Sequence, residues 1–137
     1  MVSSAELQAN KALVWEFWQQ MNASAAEEQA AVVRRYVAED VSWHGPHPIN
    51  DLAGVEATIR DFWTPLRAAV PDLQRTCEIF IGGHRHWVGA VGYFSGTFAH
   101  DWLGIPATGR PLKIRFGEFN AVWGGKIVAT YTIPDVL

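Results

Sequence analysis

Residues 96–110, Gly-Thr-Phe-Ala-His-Asp-Trp-Leu-Gly-Ile-Pro-Ala-Thr-Gly-Arg, hold the densest information in this 137-residue chain. They join two strand-like segments, Trp87 to Ala99 and Leu112 to Trp123, through a connection far more constrained than a plain hairpin needs. Each flanking segment is about a dozen residues long, against roughly five or six for an ordinary strand. Such length suits strongly bent strands that wrap a cavity, and Gly89, Gly92, Gly96 and Gly117 are places where they can bend. Further out, Gly124-Gly125 is a two-residue hairpin signal leading into a strand from Lys126 to Ile133. On the other side the apolar period is two from Leu73, with Leu73, Cys77, Ile79 and Ile81 on one face and Gly82-Gly83 as the turn.

Before Leu73 the period is that of helices. Ser3 and Glu6 form a capping-box pattern, and Val14, Phe17, Trp18 and Met21 then mark one face of a helix over residues 4–21. Ser24 and Glu27 repeat the box, and Val32, Val33, Tyr36 and Val37 predict a shorter helix ending near Ala38. A loop from Val41 to Asn50 follows, and Asn50 or Asp51 is placed to cap a third helix with Val55, Ile59, Phe62, Trp63 and Leu66 on its apolar face, stopped by Pro71-Asp72. Helices first and strands afterwards predict an α+β domain over residues 1–137, a curved antiparallel sheet wrapped by N-terminal helices around a pocket.

Composition narrows the partners. A net charge of -3 supplies no basic footprint for nucleic acid or an anionic membrane, and a cytoplasmic protein with a small-molecule ligand is the expectation. With a single cysteine, Cys77, the chain cannot form an internal disulfide. Seven tryptophans in so short a chain must fill a very aromatic core or wall a cavity. Trp15, Trp18 and Trp63 fall on helical faces and are expected in the core, whereas Trp43, Trp87, Trp102 and Trp123 lie near strand ends or loops and suit a cavity wall or a subunit contact.

Several stretches together carry a family resemblance: Trp-His-Gly-Pro, His-Pro and Asn-Asp-Leu-x-Gly within Trp43 to Gly54, Phe-Trp-x-Pro-Leu-Arg at Phe62 to Arg67, Leu-Gly-Ile-Pro-x-Thr-Gly-Arg at Leu103 to Arg110, and Gly124 to Val128 followed by Asp135. The chain resembles the SnoaL-like polyketide cyclase group of the nuclear transport factor 2-like superfamily. The resemblance implies a cone of helices and sheet around a pocket, acid/base chemistry with no cofactor and no metal, and dimers formed through sheet faces. It also implies that Asp135, after the final strand, is the acid/base that removes a proton alpha to a carbonyl during an intramolecular aldol closure. An apolar setting beside Ile133 and Pro134 suits such a base, while the bland alternative is a solvent-exposed carboxylate.

One position departs from the family pattern. Ester-cyclase relatives place a histidine directly after this Gly-Thr, and here Phe98 stands there, with no donor for an enolate oxygen. His100, two residues on and of the same strand parity, is the substitute candidate, although its neighbour Asp101 points the other way in a regular strand. His44 beside Trp43 is a candidate proton donor at the cavity mouth, and His47 before Pro48 shapes the loop; together they are too poor a ligand set to predict a metal. His84 and His86 are expected in a solvated turn.

Glu118 and Asn120 share parity with Ile114 and Phe116, so polar groups stand in an apolar row that can reach a cavity, while Arg115 and Lys113 face outward unless a bulge at Gly117 reverses the parity. The catalytic candidates are therefore Asp135, His44, Glu118 and His100. Trp43, Trp63, Phe94, Phe98, Trp102, Phe116, Asn120 and Tyr131 are the candidates for substrate contact. The activity expected is metal-independent proton abstraction from a small, largely apolar or polyketide-like carbonyl compound. Two alternatives stand beside it: a hydrolase of epoxide type, whose Arg-and-carboxylate set Arg115, Glu118 and Asp135 loosely resemble, and a non-catalytic ligand-binding domain. The outward row Trp87, Val91, Tyr93, Phe119, Ala121 and Trp123 predicts a homodimer.

Overall fold

The computed structural model describes residues 3–82 and 86–134. Helix α1 (Ser4–Ala23) starts where the Ser3 hydroxyl accepts the Glu6 N–H at 3.1 Å, and it buries Val14, Phe17, Trp18 and Met21. Trp15 is 44% exposed rather than core, because it lies about 100° round the helix from that stripe, and its ring meets Phe80 edge-on. Ser24 does not open the next helix: its hydroxyl donates to the Met21 carbonyl and ends α1. The carboxylate of Glu28 takes the Ala25 N–H instead, a 3-10 turn Ala26–Glu28 follows, and α2 (Gln29–Tyr36) continues from it.

The chain then turns directly into β1 (Val37–His44), where the sequence predicts a helix end and a loop. Val37, Val41 and Trp43 are its buried residues. Gly45 lies against the Trp43 ring, where a Cβ would come within 2.1 Å of it, which explains glycine two residues after this tryptophan. Asp51 belongs to a short strand β2 (Asp51–Ala53) paired with β1, not to a helix cap. The third helix comes in three consecutive pieces: α3 (Val55–Thr58), a π-helical stretch Ile59–Trp63, and α4 (Thr64–Ala69) with Pro in its first turn. Strands β3 (Gln74–Gly82), β4 (Trp87–Thr97), β5 (Pro111–Trp123) and β6 (Lys126–Pro134) complete the order.

The six strands form one sheet in the order β2-β1-β6-β5-β4-β3. Every neighbouring pair is antiparallel except β1 with β6, so the sheet is mixed rather than purely antiparallel, and it stays open with β2 and β3 at its edges. The fold is α+β, as the order of elements predicts. Helix α1 packs on β3 and β4, and the third helix on β1, so the helices cover one face of the sheet. No helix among the described residues is long and apolar enough to cross a membrane.

The connection at residues 96–110 is sewn to the end of α4. The Ala69 carbonyl accepts the N–H groups of both Ala99 and His100, and the Asp72 carboxylate takes the N–H and hydroxyl of Thr97 at 2.7 and 2.9 Å. Any side chain at Gly96 would meet Val70 and Asp72 within 2.8 Å, so this close approach requires glycine. Phe98 exchanges backbone hydrogen bonds with Gly109 and Arg110, and Trp102 pairs with Ile105.

Candidate active site

Along β5 the residues Ile114, Phe116, Glu118 and Asn120 all point into the helix-covered interior. The bulge in this strand falls between Ala121 and Val122, beyond Gly117, so the inward parity of Glu118 is undisturbed. Across the sheet on β3, Arg75 points into the same space, and its side chain is only 5% exposed. Asn22, at the end of α1, accepts the Arg75 N–H at 2.9 Å and donates to the Arg75 carbonyl at 2.8 Å. A helix-end amide thus takes the place of a neighbouring strand at this sheet edge.

A continuous polar chain links these positions. Arg75 Nη1 donates to Glu118 Oε2 at 2.9 Å, Asn120 Nδ2 donates to the same oxygen at 2.8 Å, and Thr130 Oγ1 donates to Asn120 Oδ1 at 2.7 Å. Four rings enclose the guanidinium, with centroids at 4.3 Å for Trp18, 4.7 Å for Phe94, 5.1 Å for Phe116 and 5.3 Å for Trp63. Burial pushes the Arg75 pKa below its usual value, and the Glu118 charge and hydrogen bond oppose that shift. Guanidinium remains protonated over the whole working pH range.

A buried ion pair is a poor device for stability, since desolvation takes several kcal/mol per ion and apolar residues of similar volume serve as well. Its presence among the rings of Trp18, Trp63, Phe94 and Phe116 therefore calls for a reason other than stability. Two small cavities adjoin the chain. One is bounded by Trp18, Asn22, Gln29 and Arg75, the other by Trp43, Glu118, Asn120 and Thr130, and Trp63 borders both. Each has room for the centre of about one water, roughly 10 Å³. Arg75 Nη2, Thr132 Oγ1 and the indole nitrogens of Trp18, Trp43 and Trp102 are buried with no hydrogen-bond partner among the described residues.

The residues singled out in the sequence divide into groups. Glu118, Asn120, Trp43, Trp63, Phe94 and Phe116 come together around the polar chain. Phe98 and Trp102 are buried in the same core where the 96–110 connection meets it. His44 and Tyr131 lie on the opposite, outward face of the sheet, with rings stacked at 4.2 Å. His44 contacts Asp51 at 2.8 Å through Nδ1 and Ser42 at 2.7 Å through Nε2. His100 is exposed, and the Asp101 carboxylate caps the Ala107 N–H within the loop. Arg115 is exposed on the outer face. Asp135 and His84 lie outside the described residues. Among the described residues no group of three His, Cys, Asp or Glu side chains is placed to hold a metal ion.

Arg75 and Thr130 are the members that sequence reading does not supply. A signal for Arg75 was present, since it shares parity with Leu73 and Cys77 and is the charged residue in that apolar row. Its meaning depends on Glu118, which is 43 residues away.

An open mixed sheet with helices packed on it and an ion pair buried in the core places the chain among small α+β proteins. Residues 14–137 match the family described as SnoaL-like polyketide cyclase, and the chain belongs to that family. A candidate SnoaL-like polyketide cyclase from Jannaschia sp. CCS1 superposes with a TM-score of 0.84 at 16% identity, over 98% of this chain and 91% of that one. IdmH, a candidate polyketide cyclase from Streptomyces antibioticus, gives 0.75 at 22% identity over 92% and 91%. AclR, a candidate hydroxylase from Streptomyces galilaeus, gives 0.76 at 18% identity over 97% and 91%. These likenesses establish the shared fold, which carries more than one chemistry. No curated protein matches the chain in sequence.

Proposed function

We propose that the protein is a metal-independent acid/base enzyme of the cyclase or isomerase type, acting on a small, largely apolar or polyketide-like carbonyl compound in the interior beside Glu118. The observation that carries this reading is the buried chain Arg75–Glu118–Asn120–Thr130 inside an aromatic enclosure, in a chain of the SnoaL-like family. Asp135 serves as the base that removes the alpha proton, in keeping with the family position after the last strand. Glu118 and Asn120 organise the polar side of the site, and Trp43, Trp63, Phe94 and Phe116 form its apolar wall.

Deuterium uptake by 2-tetralone in D₂O, followed by NMR, tests the reaction class without a known natural substrate. Catalysed exchange is expected, with a loss of about a hundredfold or more in Asp135→Asn, the typical contribution of a general base. Exchange no faster than in buffer would sink the enzymatic reading. One feature favours a second reading, a non-catalytic binding domain: the interior cavities are only about 10 Å³ each. Saturable 2-tetralone binding without exchange would select it.

We also infer a homodimer formed through the outer sheet face. Phe119, Tyr131 and Ile133 are 52%, 44% and 69% exposed there, next to the partly exposed Trp87, Val91 and Tyr93. Such a row is a large apolar surface for a small domain, and a twofold pair is the commonest way to cover one. Trp123, though exposed, does not belong to this patch, because the bulge after Ala121 ends the alternation and Trp123 borders a groove beside Ala9 and Leu13 of α1. Ala121 is buried.

A further inference from the structure

We propose that Arg75 holds the carbonyl oxygen of the ligand as it becomes an enolate, an assignment that rests on the acid/base reading above. The site needs a hydrogen-bond donor for that oxygen. Glu118 as a carboxylate only accepts. Asn120 gives one of its two amide N–H groups to Glu118, accepts from Thr130 and does not line the cavity beside Arg75, and the Thr130 hydroxyl is given to Asn120. His44 is on the other face of the sheet, and Phe98 stands where relatives place a histidine.

Arg75 meets the need. One arm of its guanidinium, Nη1, is anchored to Glu118, while Nη2 is buried and has no partner among the described residues. Asn22 holds both the N–H and the carbonyl of its backbone, and the enclosing rings limit where the planar fork can turn. Trp18 borders the same cavity, and its indole N–H is also unpartnered. Two side chains that each carry an unpartnered buried donor therefore line a space of about 10 Å³, large enough for one oxygen atom. Thr132 and the other two indoles also lack partners, but they are neutral and none borders this cavity. A fixed cation in a water-poor enclosure stabilises developing negative charge far better than a neutral donor does.

The step balances. The alpha C–H bond breaks, its proton passes to the Asp135 carboxylate, and the electron pair becomes the enolate. Negative charge passes from the base to the oxygen at Nη2, so the total charge of base and ligand is unchanged. Glu118 remains ionised throughout as the counter-charge that orients Arg75.

Two measurements test the assignment. In the tetralone exchange assay, Arg75→Lys should lower kcat by about a hundredfold, the usual effect of losing one oxyanion donor, while the half-saturating concentration changes less than about threefold. Separately, the wild type should bind 2-naphthol, a planar enol mimic, at least about tenfold more tightly than 2-methylnaphthalene. The double variant Arg75→Gln/Glu118→Gln, which leaves no lone buried charge, should abolish that preference while remaining folded by circular dichroism. An unchanged kcat in Arg75→Lys, or equal binding of the two naphthalenes by wild type, would overturn the assignment. Naphthol preference that disappears in the double variant, together with no tetralone exchange by wild type, would uphold the role of Arg75 as oxygen holder and remove the acid/base reading.

Discussion

Glu118 and Arg75 show at the scale of single residues how a charge can be tolerated in a core only as half of a pair. Removing either partner leaves the other charged and buried, which costs about 3–5 kcal/mol, whereas removing both is near neutral. Urea unfolding should show a loss of that order for Glu118→Leu and substantial recovery in Arg75→Met/Glu118→Leu. A loss below about 1 kcal/mol in the single variant would mean that water reaches the pair. Asp72 is the exposed counterpart. The backbone N–H of Thr97, and then its hydroxyl, hold the Asp72 carboxyl below the usual carboxylate range. A depressed folded value places its stabilising contribution above the unfolded value of about 3.9, to be lost as the pH falls through the folded value. NMR titration of Asp72 should find a midpoint below about 3.9, and Asp72→Asn should remove that part of the acid dependence; a midpoint at or above the unfolded value would show that the link to Thr97 is not formed in solution.

At the scale of elements, the π-helical stretch Ile59–Trp63 shifts the register of the third helix just before it delivers Trp63 between the two cavities. Such stretches are uncommon and recur at functional sites. The Trp63 indole stands between two spaces that each hold about one water. Trp63→Ala should lower stability by about 3–5 kcal/mol while joining the cavities, and should strengthen 2-methylnaphthalene binding about tenfold. Unchanged affinity, read from naphthalene fluorescence, would show that Trp63 does not separate the two spaces. Strand β1 teaches the complementary lesson at this scale. Its Val37, Val41 and Trp43 alternate imperfectly, the register with β6 slips after Val37, and its partners at Ile127 to Tyr131 come from the far end of the chain. Local pattern therefore favoured a helix end near Ala38 and a loop from Val41, and only long-range pairing makes this segment a strand.

For the whole molecule, the helices cover one face of the sheet and leave Phe119, Tyr131 and Ile133 facing away from it. Sedimentation at micromolar concentration should find a dimer, and Ile133→Asp, which brings a carboxylate from each subunit into the proposed interface, should give a monomer with its fold intact. A monomeric wild type would refute the twofold arrangement.

The sequence by itself determined the class of fold, because amphipathic periods of 3.6 and then 2 are local properties that survive without knowledge of neighbours. It also determined the inward parity of Glu118 and Asn120, since alternation along one uninterrupted strand segment suffices. Family membership was legible in the motifs of residues 43–54, 62–67 and 103–110, in which Gly54, Gly104 and Gly109 take the positive φ that glycine allows. Tertiary structure alone decided that β1 is a strand, that the sheet is mixed, that His44 faces away from Glu118, and that Arg75 completes the interior chain. Each of those depends on residues dozens of positions apart meeting across the sheet, and a buried charge has meaning only once its partner is known.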